Sequence, residues 1–321
     1  MGRADYVIKR GFFALVTIFV AITLNFFLFR VLPGSAVTNL ARVPSAGPAL
    51  KHALTVEFGL DQSKWQQYVL YLKELAHGNM GISFVSQQPV THMLLADLQN
   101  TIPMVTVGTL VSIIVGVFTG VLAAWRRGSV ADHISTNAAV FAYAFPTQWL
   151  GLMLLILLAG YLPAHGMYWD DLFNPEPFWQ HLADAAQHMI LPALTLVLTA
   201  YGSYTLVVRT SVLETLGDDY VLTARAKGLP VRRIVWRHAV RNALLPMVTL
   251  IALDFGYIVG GALLIEVIFS WPGIGLAMYN AVIQRDYPML QGGFLILTIS
   301  VIVLNFISDL VYFRLDPRIS E

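Results

Sequence analysis

The chain contains no cysteine. That excludes disulfides, zinc thiolates and cysteine nucleophiles. Charge is also scarce: Asp, Glu, Lys and Arg together make 12% of the residues, about half the share of soluble domains. The net charge of +1 leaves no bulk field to draw nucleic acid. There is no GxxxxGK[ST] phosphate-cradling loop, no HExxH pair and no nucleophile elbow, so neither ATP hydrolysis nor a familiar hydrolytic centre is written into the chain. Gly11–Phe29 is an uncharged run too long for a secretory h-region, and Arg30-Val31-Leu32-Pro33 is no small-residue cleavage site, so no signal peptide is expected. What is abundant is apolar surface: 57% of residues are hydrophobic and the mean hydropathy is +0.66. These values describe an integral protein of the lipid bilayer.

A membrane-crossing helix needs about 20 mostly apolar residues. Six stretches qualify, roughly 11–32, 101–124, 134–160, 188–208, 244–268 and 289–313. Basic residues assign the sides. With the N-terminus inside, 14 of the 20 Lys and Arg residues fall inside and six outside. The outer loop 161–187 has none, but carries Asp170, Asp171, Glu176 and Asp184. The expectation is an all-α membrane protein with six transmembrane helices, N-in and C-in. It divides into an N-terminal helix plus external segment (1–100) and a five-helix core (101–321).

The densest charge lies in the inner loop at about 209–243, with Arg209, Arg225, Lys227, Arg232, Arg233, Arg237 and Arg241. Part of it sets topology, but about 35 residues separate spans four and five, far more than a hairpin needs. Ala224-Arg225-Ala226-Lys227 favours helix, and Gly228-Leu229-Pro230 stops it. Val231 to Leu245 has the pattern of a second helix. Two short helices joined at a glycine form a surface that another protein can grip; a solvated basic loop that only anchors the topology is the alternative.

Asp219-Tyr220, Thr223 to Leu229, His238-Ala239 and Arg241-Asn242-Ala243 before Pro246 resemble the cytoplasmic loop of ABC-importer permeases. The nearest resemblance is to the dipeptide/oligopeptide (and nickel) permease family, first-subunit type. Leu32-Pro33-Gly34, Gly59-Leu60-Asp61 with Trp65-Gln66-Gln67-Tyr68, His77 to Gly81, Ile265 to Gly275, Arg285 to Pro288 and Asp316-Pro317-Arg318 are similar to further segments of that family. The likeness spans nearly the whole chain. Asn79 stands where the family more often has Asp, and Ser35-Ala36 replaces a commoner acidic-Pro pair. The resemblance implies the type I ABC-importer permease fold in the cell membrane and a transport role without covalent chemistry. It implies as partners a second homologous permease, two cytoplasmic ATPase subunits, an extracytoplasmic solute-binding protein and a peptide substrate. ATP and Mg would sit on the ATPases, with no cofactor on this chain. It assigns ATPase coupling to Asp219, Tyr220, Ala224, Arg225, Ala226, Lys227 and Gly228, with Gly228 making the turn and Ala224 and Ala226 permitting close approach.

Asp254 falls in mid-span, where a carboxylate in lipid is costly and marks either a pathway or a structural bond. Gly256, Gly260 and Gly261 follow it at spacings that allow close helix approach. Glu266 near the outer end is equally open to a pathway or a bundle-interior role. A proton- or ion-coupled carrier would rely on Asp254 and need no ATPase. Nickel, haem and glutathione are the other cargoes of the resembled family. His181, Asp184 and His188 share one helical face, but such spacing arises readily by chance and no metal site is expected. Trp65, Tyr68 and Tyr71 in the external segment serve either at the membrane interface or beneath a docked binding protein.

Overall fold

The structure is a computed structural model that describes residues 3–31, 62–169, 177–244, 246–247, 250–251 and 262–315. The regular structure of these residues is helical. In chain order we label α1 (Arg3–Phe26), extended by one wide π turn at Phe27–Val31, α2 (Lys64–Ala76), α3 (Val90–Trp125), α4 (Val130–Ala144) and α5 (Thr147–Leu158). There follow α6 (Phe178–Thr215), α7 (Asp219–Ala226), α8 (231–243), α9 (Ala262–Phe269), α10 (Ile274–Gln284) and α11 (Tyr287–Leu315). Four helices are long and apolar enough to cross a membrane, and six spans result when each of two bent pairs counts as one.

Three expected boundaries are corrected. Span two starts at Val90 rather than 101, and α3 runs for 36 residues. At 1.5 Å per residue that is about 54 Å, against a hydrocarbon core of ~30 Å. Likewise α6 has 38 residues and begins at Phe178, inside the expected outer loop. Span three is not one helix: α4 and α5 meet at 104°. The cause is Pro146, which pushes Phe145 out of the helical region to φ −80°, ψ 131°. A second break separates α9 from α10, where Ser270 adopts φ 50° two residues before Pro272.

By contacts the chain forms two compact units, Met1–Thr101 with Pro272–Phe306, and Ile102–Trp271 with Ile307–Glu321.

In the first unit, Ser63 caps α2 reciprocally with Gln66, satisfying two orphan N–H groups. Tyr71 on α2 is buried against Phe26 at 5.6 Å between ring centroids, with the Arg30 guanidinium 5.6 Å from its ring centre. Burial pushes the Tyr71 phenol up to about 12. Tyr71 is thus a packing residue, whereas Trp65 is 71% exposed. Val90 and Leu94 pack on Ile274, Ala281, Met289 and Leu290. Asp286, just ahead of α11, holds the loop that precedes α3: it accepts from the Ser83 hydroxyl, from Phe84 N–H at 3.2 Å and, within its own helix start, from Met289 N–H at 3.3 Å.

In the second unit a stripe of small residues recurs every four positions on α3: Gly108, Ser112, Gly116 and Gly120. It lies against α6. A Cβ at Gly116 would stand 2.4 Å from Tyr204 Cβ, and one at Gly120 would stand 2.7 Å from the Thr205 carbonyl oxygen. The Thr119 and Thr205 hydroxyls bond across the pair at 2.7 Å. Within lipid, such backbone approach and hydrogen bonding replace the hydrophobic drive that holds helices together in water. Gly202 on α6 admits α4 as closely, its added Cβ falling 2.3 Å from the Ala139 carbonyl oxygen.

Candidate coupling surface

Helix α7 is eight residues long and follows α6 after a tight turn. Asp219 lies in its first turn and Arg225 in its last, each opposing the helix-end charge there. Its C-terminus closes in a Schellman arrangement. Gly228 N–H donates to the Arg225 carbonyl at 2.9 Å, and Leu229 N–H to the Ala224 carbonyl at 3.3 Å. Gly228 has φ 72°, and an added Cβ would meet nothing within 4 Å. The glycine is there for its left-handed backbone, not for space. Leu229 packs back on the helix, and Pro230 prevents its continuation.

The two faces of α7 differ. Val221 and Ala224 are buried against Ile234 of α8, with Leu216 and Leu229 at the margin. Asp219, Tyr220, Leu222, Thr223, Arg225, Ala226 and Lys227 are exposed. Ala224 thus faces inward, and its small size lets α7 approach α8. Ala226 and the charged or aromatic residues form the outward face.

The α7–α8 hairpin rests on the transmembrane helices. Val235, Val240, Ala243 and Met247 share one buried cluster with Val121 and Ala124 of α3 and with Tyr204, Val208 and Val212 of α6. Helix α8 widens into a π turn at Ile234–Ala239, a local irregularity often found at functional positions. Beside the hairpin, Arg209 of α6 grips Asp132 of α4 with two bonds, Nε–Oδ1 at 2.7 Å and Nη2–Oδ2 at 3.0 Å. Asp132 also accepts from Gly128 N–H at 2.9 Å and the Thr136 hydroxyl at 3.1 Å. A push on α7 therefore meets a continuous packed body: α8, the ends of α3 and α6, and α4 through the ion pair.

Sequence reasoning counted Arg209 among the topology charges and did not consider Asp132. An acidic residue just inside an apolar helix, 77 residues from an Arg in a corresponding place, was the available signal. The small-residue stripe on α3 was also missed, although its four-residue spacing is visible in the chain.

The other expected site residues are dispersed. Asp254, Gly256, Gly260 and Gly261 lie outside the described residues. Glu266 on α9 is fully buried, and its carbonyl accepts from Trp271 N–H at 2.9 Å. His181 stacks on Tyr168 at 3.7 Å. His188 Nδ1 lies 3.0 Å from Asp184 Oδ1, and Trp169 N–H donates to Asp184 Oδ2 at 2.7 Å. Asp184 thus ties Trp169 to α6, and the His188 ring meets the Trp169 ring edge-on at 5.1 Å. Among the described residues no three His, Asp or Glu side chains converge as a metal site.

This combination of lipid-length helices, close small-residue packing and a helical hairpin at their ends defines a multi-pass helical membrane protein. The chain belongs to the family of binding-protein-dependent transport system inner membrane components, whose pattern matches residues 116–321. It is similar to the dipeptide transport system permease protein DppB of Escherichia coli strain K12, with 38% identity over 320 residues and 94% of each chain covered. It is also similar to the oligopeptide transport system permease protein AppB of Bacillus subtilis, 32% identical over 320 residues and covering 98% of this chain and 99% of that one. The glutathione transport system permease protein GsiC of Escherichia coli is 32% identical over 318 residues, with 98% of each covered.

Proposed function

We propose that the chain is the membrane-spanning permease subunit of a binding-protein-dependent ABC importer for dipeptides or oligopeptides. The observation that carries this reading is similarity to a dipeptide permease along 94% of the chain. The N- and C-termini lie inside, as the distribution of basic residues supports. One six-span bundle supplies half of the pathway, and a second homologous permease supplies the rest. Two ATPase subunits bind on the inside and carry the ATP and Mg. A solute-binding protein delivers peptide from the outside.

The outward face of α7, from Asp219 to Lys227, is the surface the ATPase grips. Gly228 fixes the angle at which α8 leaves it. When the ATPases close, α7 moves, and the packed cluster beneath it transmits the displacement to α3, α6 and α4. This is alternating access by rigid-body motion, with the equilibrium between two packed arrangements biased by a partner.

The test is peptide uptake into sealed vesicles containing the complete transporter. Uptake should require ATP and the binding protein, and should persist when the proton gradient is collapsed. Uptake that follows the proton gradient and ignores ATP removal would instead identify a secondary carrier. A glutathione cargo is a second reading, supported by the similarity to GsiC; competition between glutathione and alanyl-alanine separates the two.

A further inference from the structure

Within the first compact unit, α3, α10 and the start of α11 enclose an open groove of about 320 Å³. That volume lies within the usual range for small-ligand sites. Met93, Asp97, Leu276, Asn280, Gln284 and Met289 line it. Two carboxylates face it, and among the described residues no Lys or Arg does. They differ in state. Asp286 is fully engaged, with both oxygens taken by the Ser83 hydroxyl and by backbone N–H groups. Asp97 is half-buried on α3. Its backbone carbonyl accepts from Thr101 at 3.2 Å, but its carboxylate has no hydrogen-bond or ion-pair partner among the described residues. A half-desolvated carboxylate without a cation is costly.

From this arrangement we infer that the groove is a peptide subsite in which Asp97 receives the peptide's α-ammonium group. The inference rests on the peptide-importer reading above and on the N-in orientation, which puts the first turns of α3 outside.

The remaining lining suits such a ligand. The Asn280 and Gln284 amides both donate and accept, matching a peptide's amide and carbonyl groups. Met93, Met289 and Leu276 supply apolar surface, and methionine adapts to side chains of differing shape. Fixed recognition of an invariant end beside adaptable walls is what a carrier of varied short peptides needs. A groove of this size admits a dipeptide. A docked protein covers about 800 Å² on each partner, and this recess is too small to be such a surface by itself.

The experiment uses the complete transporter in vesicles, with the wild-type permease or Asp97→Asn. The probes are alanyl-alanine and lactoyl-alanine, which carries a hydroxyl in place of the ammonium. The quantity read is the uptake ratio of the two probes. Selection by the binding protein enters both permeases equally and cancels when the ratios are compared. A hydrogen-bonded charge contact in a half-buried site predicts that Asp97→Asn lowers the ratio about tenfold. Asp97→Glu should restore most of it. Asn280→Lys, which brings a competing ammonium into the groove, should lower the ratio in the same direction and covers the case in which Asp97→Asn assembles poorly.

An unchanged ratio in both Asp97→Asn and Asn280→Lys overturns the inference. So does an equal loss of both probes with reduced binding-protein association, which would make the groove part of a protein interface. If the wild-type transporter takes up neither probe, the peptide reading itself fails, and the subsite falls with it.

Discussion

Gly202→Ala tests the packing of α4 on α6. Alanine is about 1 kcal/mol better than glycine in a helix interior, so in open space the exchange would stabilise the protein. At Gly202 the new methyl would stand 2.3 Å from the Ala139 carbonyl oxygen and 3.0 Å from Tyr143 Cβ. Optimal contact between such atoms lies at about 3.5–4.0 Å, so the two helices must part by about 1 Å. No rotamer change relieves this, because the obstacles are a backbone atom and a Cβ. A gap of that size forfeits roughly a quarter to a half of each dispersion contact along the interface. Overpacking costs about 1–3 kcal/mol, and a backbone atom that cannot yield places Gly202 in the upper part of that range, leaving a net loss of about 1–2 kcal/mol after the propensity gain. The assay is thermal unfolding of the purified transporter in lipid, with Gly160→Ala as control, because a Cβ there meets nothing within 4 Å. Gly202→Ala should lower Tm by roughly 2–6 °C. An unchanged or raised Tm would refute the close approach of α4 and α6.

Three further outcomes are expected. Gly228→Ala should weaken ATPase stimulation by loaded binding protein and Gly228→Asn should weaken it less, because a left-handed backbone costs an L-residue about 1–2 kcal/mol and asparagine tolerates it best; equal activity in both and in wild type would show that the turn does not matter. Arg209→Gln should destabilise by about 1–3 kcal/mol by leaving a buried carboxylate without its cation, while Asp132→Asn combined with Arg209→Gln should cost less than the sum of the single changes; strict additivity would show that the pair carries no coupling. Single cysteines at Ser45, Ser129 and Asn174 should react with an impermeant thiol reagent outside the cell at 45 and 174 only, and labelling at 129 would contradict the N-in topology.

Much of this architecture was legible because lipid imposes simple rules. Apolar runs announced the four lipid-length helices, whereas the run at 244–268 lies in large part outside the described residues, and Gly228-Leu229-Pro230 announced a helix stop that the structure realises with φ 72°. The N-terminal extension of α3 was hidden because Val90 to Asn100 is only partly apolar, and hydropathy marks the lipid-crossing stretch rather than the helix. The bend at Pro146 was written in the residue itself but was overridden by the apolar run around it. The burial of Ala224 was not legible: which face of a short helix turns inward depends on Ile234, ten residues away and beyond a turn. The pairing of Asp132 with Arg209 depends likewise on how α4 meets α6, which no local pattern encodes.

The central claim is that α7 is the part of this chain an ATPase holds. The native chain has no cysteine, so single cysteines report one position at a time. Leu222, 51% exposed on α7, and Ala226 are the positions to substitute, with Trp236 on α8, 44% exposed, as comparison. In the assembled transporter, a short bifunctional thiol–amine reagent should join Leu222→Cys and Ala226→Cys to an ATPase subunit, with a yield that changes on adding ATP, and should join Trp236→Cys far less. Absence of cross-linking at both α7 positions in a transporter that still imports peptide would contradict the account.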